Sequence, residues 1–306
     1  MTEGLPITEH SSAVNEFRCG TAALAGRSNV GKSTLLNRVL GTKLAITSKK
    51  PQTTRSAIVG VRTAPRAQTI WMDTPGLHRA RSLLNRRMVD AAERSIAQAD
   101  VVVLVIDASA GLLGQDREAI DTVVASRHPW LMAVNKIDLV GDTRMLPLLD
   151  TIGREFPEID VVPVSASRGK NLPALERAVA ARLPPAAAVY PEDELTDQSE
   201  RAIVQEFVRE QVFAATEGEI PYKTAVLVER FEDKKGVNVV SATILVERDS
   251  HKRIVVGSGG AMIRRIGSQA RHELERFFAK RFYLELFVKV RRDWTRSPRV
   301  LAELGL

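Results

Sequence analysis

The chain has 306 residues, 44% of them apolar, with 44 Lys or Arg against 37 Asp or Glu and a single cysteine. That length exceeds one ordinary core, and the apolar share is enough to fill two, which predicts two globular units. Cys19 alone excludes an internal disulfide, the five histidines show no metal-ligand spacing, and the longest apolar run, at 101–106, is far too short to span a bilayer.

Residues 1–20 combine Glu3, Glu9 and Glu16 with no apolar core, so no secretory signal is expected. The chain is assigned to the cytoplasm, with any membrane contact peripheral, and a monomer is the expected state.

The apolar run at 21–25 predicts a buried strand, and Leu35, Leu36, Val39 and Leu40 predict the packed face of a helix. Between them, Gly26-Arg27-Ser28-Asn29-Val30-Gly31-Lys32-Ser33 has GxxxxGKS spacing and runs on into Thr34. Such a loop turns backbone N–H groups towards the phosphates of a nucleotide. The helix N-terminus favours anionic charge, and Lys32 reaches the outer phosphates as a point charge that also serves catalysis. Ser33 is the candidate magnesium ligand.

Next comes Pro51-Gln52-Thr53-Thr54-Arg55, a polar stretch with no packing pattern, which predicts a mobile switch. One of its threonines, Thr54 before Thr53, is expected to complete the magnesium shell and let go after hydrolysis.

Residues 69–72 predict a second strand, which ends in Asp73-Thr74-Pro75-Gly76-Leu77. Asp73 therefore falls at a strand's C-terminal edge, where open α/β sheets bind ligands, and is a candidate to hold magnesium. Gly76 can sense the terminal phosphate through its N–H. Leu77 occupies the place where Ras-like enzymes put a water-orienting glutamine, which predicts slow intrinsic turnover.

The apolar stretch at 130–134 ends in Asn135-Lys136-Ile137-Asp138. A carboxylate there can accept two hydrogen bonds from the N–H groups of guanine, a pair that adenine lacks, so GTP is predicted over ATP. Ser165 and Ala166, after a strand at 161–164, are its weaker companions. The first unit reads as an α/β P-loop domain with a doubly wound, mostly parallel sheet over residues 1–183.

Residues 184–198 are Ala-rich and acidic and read as a linker to a second, α+β unit at 199–306. That unit is predicted as a helix at 200–216, strands at 224–231 and 237–247, Gly257-Ser258-Gly259-Gly260 opening a further helix, and a last strand at 283–291. Leu284, Leu286, Val288 and Val290 alternate with Tyr283, Glu285, Phe287 and Lys289, the period of a sheet with one buried face. Phe277, Phe278 and Phe287 are all expected in the core.

Residues 251–306 hold 13 Lys or Arg against 5 Asp or Glu, a net of +8 in a chain of net +7, so residues 1–250 carry −1. A GxxG loop at a helix start clamps single-stranded nucleic acid backbone, as in a KH module. Gly257, Ser258, Gly259 and Gly260, with Lys252, Arg253, Arg264 and Arg265 alongside, are the candidate RNA contacts.

The motifs GRSNVGKST, PQTTR, DTPG, NKID and SA, in this order, together with VERDSHKRIVVGSGG and YLELFVKVRRDWTRSP, resemble those of the Era family of GTPases. The resemblance implies a type II KH domain, GTP and GDP as ligands, and magnesium. It also implies binding to the 3′ end of 16S ribosomal RNA and late maturation of the 30S subunit. In related GTPases a P-loop asparagine, matched by Asn29, helps hold a potassium ion. Two departures stand out: Ser28 replaces the family's usual proline, and the GSGG loop lacks the usual Lys or Arg. The alternatives are a GTPase of the same superclass acting in tRNA modification or large-subunit assembly, and an RNA chaperone with a degenerate nucleotide domain.

Overall fold

A computed structural model describes residues 16–306 except 49, 79 and 81. The stretch read above for a secretory signal therefore lies mostly outside the described residues.

In chain order the first unit contains β1 (Arg18–Ala25), α1 (Lys32–Leu40), β2 (Ile58–Ala64), β3 (Ala67–Asp73), α2 (Leu83–Ala97), β4 (Val101–Asp107), α3 (Gly114–Ser126), β5 (Trp130–Asn135), α4 (Asp142–Glu155), β6 (Val161–Pro163) and α5 (Leu172–Ala180). The strands form one six-stranded sheet in the order β2-β3-β1-β4-β5-β6. Among the described strands of this sheet only β2 runs antiparallel, paired with β3.

Every residue of β4, Val-Val-Val-Leu-Val-Ile-Asp, is buried, as a central strand covered on both faces must be. Leu24, Leu35, Trp71 and Val103 pack on one face of the sheet, while Ala23, Leu104, Ile120 and Met132 pack on the other. Because β1 pairs with β3 on one side and β4 on the other, chain order reverses at its C-terminal end. Ligands settle in the crevice at such a reversal, and the phosphate-loop motif begins there.

The second unit comprises α6 (Glu200–Ala215), β7 (Thr224–Lys234), β8 (Val237–Val246), α7 (Asp249–Val256), α8 (Ala261–Phe278), β9 (Arg281–Val290) and a final helix, α9 (Pro298–Glu303). Its sheet has the order β7-β8-β9, antiparallel then parallel. Ser199 caps α6 by accepting from Ala202 N, and Ser297 caps α9 by accepting from Val300 N.

The inward face of β9 follows the alternation expected from its sequence and gains Phe282, which is 4% exposed. Phe277 and Phe278 join the core beside Phe207. Phe287 does not: it is 55% exposed, because it shares the outer face of β9 with Tyr283, Glu285 and Lys289. Strand parity overrides the general preference of an aromatic ring for the core.

The segment at 185–196 is tied to the first sheet. Val61 N donates to Leu195 O, and Thr196 Oγ1 to Val59 O, so this stretch covers the outer edge of β2. A separate apolar cluster joins Leu84 and Met88 of α2 to Ala225, Leu245, Trp294 and Leu301. Among the described residues no helix is long and apolar enough to cross a membrane.

Candidate nucleotide and RNA sites

A cavity of about 690 Å³ opens at the C-terminal end of β1. Ser28, Asn29, Gly31, Lys32, Ser33 and Thr34 form one side, and Thr47, Gln52, Thr53 and Thr54 form another. Gly31 has φ +101, and a Cβ there would lie 2.3 Å from Asn135 Nδ2, so only glycine can occupy this turn.

Lys32 donates through Nζ to Gly26 O and Arg27 O at 2.9 and 3.0 Å, holding the loop around its own ammonium. Burial lowers the pKa of this lysine to about 8, partly offset by Asp73. The Arg27 side chain turns away to the buried Asp116, at 3.1 and 3.3 Å. Val30, Thr74 and Leu77 bury their side chains in the scaffold, and Thr74 Oγ1 donates to Leu24 O.

Three polar groups spread over 40 residues of sequence meet under the loop. Ser33 Oγ donates to Asp73 Oδ2 at 2.6 Å, Thr54 Oγ1 donates to the same oxygen at 3.1 Å, and the two hydroxyls are 3.1 Å apart. The second oxygen, Asp73 Oδ1, is buried with no partner. Burial raises the Asp73 pKa, while Lys32 and the two hydroxyls pull it down. A buried carboxylate with an uncompensated oxygen beside two hydroxyls is a hard-oxygen donor set suited to a divalent cation. Thr54, rather than Thr53, belongs to this set.

Gly76 abuts the phosphate loop: a Cβ on it would lie 2.5 Å from Ser28 Oγ. Leu77 N donates to Gly26 O, and its side chain enters the apolar core, so it presents nothing to a water.

At the other end of the cavity, Asn135 links two loops. Its Nδ2 donates to Val30 O and its Oδ1 accepts from Ala166 N. Lys136 Nζ donates to Asn29 O and to Asp107 Oδ2, both at 2.7 Å. Asp138 accepts from Ser165 Oγ at 2.5 Å and Ser167 Oγ at 3.1 Å, and the Ser165 bond is the main cause of its lowered pKa. The exposed carboxylate is thus held ionised, as an acceptor for paired N–H donors.

The segment at 50–55 forms no regular element, as expected, but it is not a free surface loop. Thr54 and Arg55 are each 6% exposed. Lys50 Nζ donates to Phe213 O and Thr216 O at the end of α6. Arg209 donates to Thr53 O, and Arg55 donates to Thr224 O at 2.8 Å and Tyr222 O at 3.0 Å. Three cations fasten this loop to the second unit.

There, α7 and α8 flank Gly257-Ser258-Gly259-Gly260. Gly257 has φ +73, and a Cβ would meet Met262 Cβ at 2.7 Å. Ser258 and Gly259 are exposed, as are Lys252 and Arg253 on one helix and Arg264 and Arg265 on the other. The loop thus presents backbone at a helix start with four cations around it, the arrangement that suits a phosphate backbone.

Residues 21–136 match the family described as 50S ribosome-binding GTPase, and residues 219–295 match the KH domain family. The GTPase Era of Geobacter metallireducens is 44% identical over 293 residues, 95% of this chain and 98% of that one. The chain belongs to the Era family of GTPases. The Era of Syntrophus aciditrophicus is 43% identical, with 94% of this chain and 95% of that one covered. Among solved structures, an Aquifex aeolicus Era variant bound to GDP.AlF4− gives a TM-score of 0.92 at 36% identity, over 94% of this chain and 99% of that one. Era in complex with MgGDPNP and nucleotides 1506–1542 of 16S ribosomal RNA gives 0.91 at 37% identity, with the same coverage.

This Era-family GTPase contains site residues that motif reading passed over. Asp107 closes the apolar run of β4 just as Asn135 closes β5, a signal present in the sequence. Burial raises the Asp107 pKa but bonds from Lys136 and Ser109 outweigh it, leaving the carboxyl below its usual range. Asp116 and Ser167 carried no such signal, since their roles arise from long-range contacts.

Proposed function

We propose that this GTPase is a nucleotide-controlled switch that grips the 3′ end of 16S ribosomal RNA and assists maturation of the 30S subunit. The observation that carries the reading is the junction at Thr54 and Arg55, where one residue closes the candidate magnesium site and the next is seated in the unit bearing the GSGG loop. The relative that holds MgGDPNP and 16S RNA together supports both ligands.

In the loaded state Ser33, Thr54 and Asp73 would hold magnesium, which supplies positive charge against the phosphate oxygens. Lys32 would exchange two backbone carbonyls for the outer phosphates, and Gly76 N–H would meet the terminal one. Gly26, Arg27, Asn29, Val30, Thr34, Thr74 and Pro75 frame those contacts, while Asn135, Lys136, Asp138, Ser165 and Ala166 hold guanine. With Leu77 buried in the apolar core, that position cannot orient the water, and intrinsic turnover is slow. Asn29, on the cavity wall, would hold potassium; equal hydrolysis rates in sodium and potassium buffers would rule that ion out.

The units divide at about 184–198, and the protein works as a cytoplasmic monomer, any membrane contact being peripheral. Crosslinking to cellular RNA tests the assignment: reads should concentrate in the small-subunit ribosomal RNA, and reads spread evenly over messenger RNA would overturn it.

A further inference from the structure

Ser28 lines the nucleotide cavity together with Lys32, Ser33 and Gly76. The start of its loop is pinned from two directions: the Lys32 ammonium donates to the carbonyls of Gly26 and Arg27, and Leu77 N donates to Gly26 O. Ser28 is thereby pressed against Gly76, where a Cβ would lie 2.5 Å from Ser28 Oγ and 2.7 Å from Ser28 N. The serine hydroxyl fills the space that a side chain at 76 would need.

Ser28 is half-buried, and among the described residues its hydroxyl has no hydrogen-bond partner. Serines in turns commonly bond to nearby backbone, whereas this one keeps its donor free on the cavity wall. Ser33 and Thr54, by contrast, spend theirs on Asp73. A hydroxyl donates as well as accepts, and the phosphate oxygens of a nucleotide are acceptors. Beside Gly76 and the lysine that reaches the outer phosphates, the Ser28 donor meets such an acceptor in a triphosphate and loses it in a diphosphate.

We infer that Ser28 Oγ–H donates to the terminal phosphate and so helps the protein tell GTP from GDP. That role rests on the reading that Gly76 N–H meets the same phosphate, to which the hydroxyl adds a second, adjacent donor. A hydrogen bond to an ionised acceptor is stronger than one between neutral groups, so its loss falls on the triphosphate form alone. Proline, the usual residue here in the Era family, has no hydroxyl and cannot make this contact.

The test is a thermodynamic cycle between the hydroxyl and the phosphate it meets. Affinities of the full-length wild type, Ser28→Ala and Ser28→Pro are measured with magnesium for GDP and for a β,γ-imido GTP analogue. Both variants should lose about tenfold in preference for the analogue over GDP, and in Ser28→Ala the GDP affinity itself should change less than about twofold. In 31P spectra of the bound analogue, Ser28→Ala should move the terminal phosphorus and leave the α-phosphorus in place. An equal loss for both nucleotides, or an unchanged preference, would overturn the assignment. So would slower hydrolysis with the preference intact, which would put the hydroxyl on the attacking water instead. A wild type that retains neither nucleotide would overturn the switch reading as well, whereas retained nucleotides with an unchanged ratio in the variants would overturn this inference alone.

Discussion

The guanidinium of Arg55 lies 5.5 Å from the centre of the Trp294 ring, beyond the last strand of the second unit. Burial and the nearby Arg209 lower the Arg55 pKa, with Glu206 opposing, yet its N–H groups are spent on the carbonyls of Thr224 and Tyr222. The residue after Thr54 is therefore wired to the RNA unit. Arg55→Lys keeps charge but cannot serve both carbonyls and stack on the ring, leaving buried acceptors unpaired at about 1–3 kcal/mol. GTP binding should survive, while the effect of nucleotide on RNA affinity shrinks towards none. RNA titrations of the variant with each nucleotide check this.

Asp138→Asn replaces a carboxylate held ionised by Ser165 with a group that offers one donor and one acceptor edge. Affinity for GTP should fall by roughly 2–4 kcal/mol, with a gain for xanthosine triphosphate. Competition binding measures both, and unchanged guanine preference would remove Asp138 from the base site.

Lys32 links pH to two equilibria with opposite signs. Its pKa is about 8 in the fold against 10.5 for a freely solvated lysine, so between those values the unfolded chain binds more protons. Nucleotide-free stability should rise with pH across that window. Bound phosphates favour the ammonium, so nucleotide binding takes up a proton there. Affinity for GTP should then fall above about pH 8, by up to about tenfold per unit. Thermal melts and binding isotherms over the same buffers read the two slopes, and Lys32→Met should flatten both.

In the RNA loop the informative positions are Ser258 and Gly259. Asp at Gly257 would strike Met262, whereas Gly259 has open space around it. The double variant Ser258→Asp, Gly259→Asp puts two negative charges where phosphates are expected. RNA affinity should drop more than about tenfold, with a shallower salt dependence. GTP binding by the same preparation should be unchanged, which separates a lost contact from a lost fold.

The parts of the candidate nucleotide site were legible in the sequence because they are local: a loop between a strand and a helix, or a carboxylate closing an apolar run. The mostly parallel sheet followed from the same runs and the GSGG loop from its place at the start of a helix, whereas the strand order, the antiparallel β2 and the helix α7 before the loop came only with the fold. What connects the units did not show. Arg55, Lys50 and Arg209 look like ordinary surface cations until the fold brings carbonyls 150 or more residues away to them. Phe287 shows a different failure, since the alternation at 284, 286 and 288 already placed it on the outer face, and ring chemistry was given precedence over strand parity.

The account rests on nucleotide and RNA being energetically linked through residues 50–55. The most direct measurement is the dissociation constant of the purified protein for a fragment from the 3′ end of 16S RNA, taken with magnesium and either a non-hydrolysable GTP analogue or GDP. RNA should bind at least about fivefold more tightly in the GTP form, and by reciprocity should tighten the analogue by the same factor. Equal constants in the two nucleotide states would contradict it.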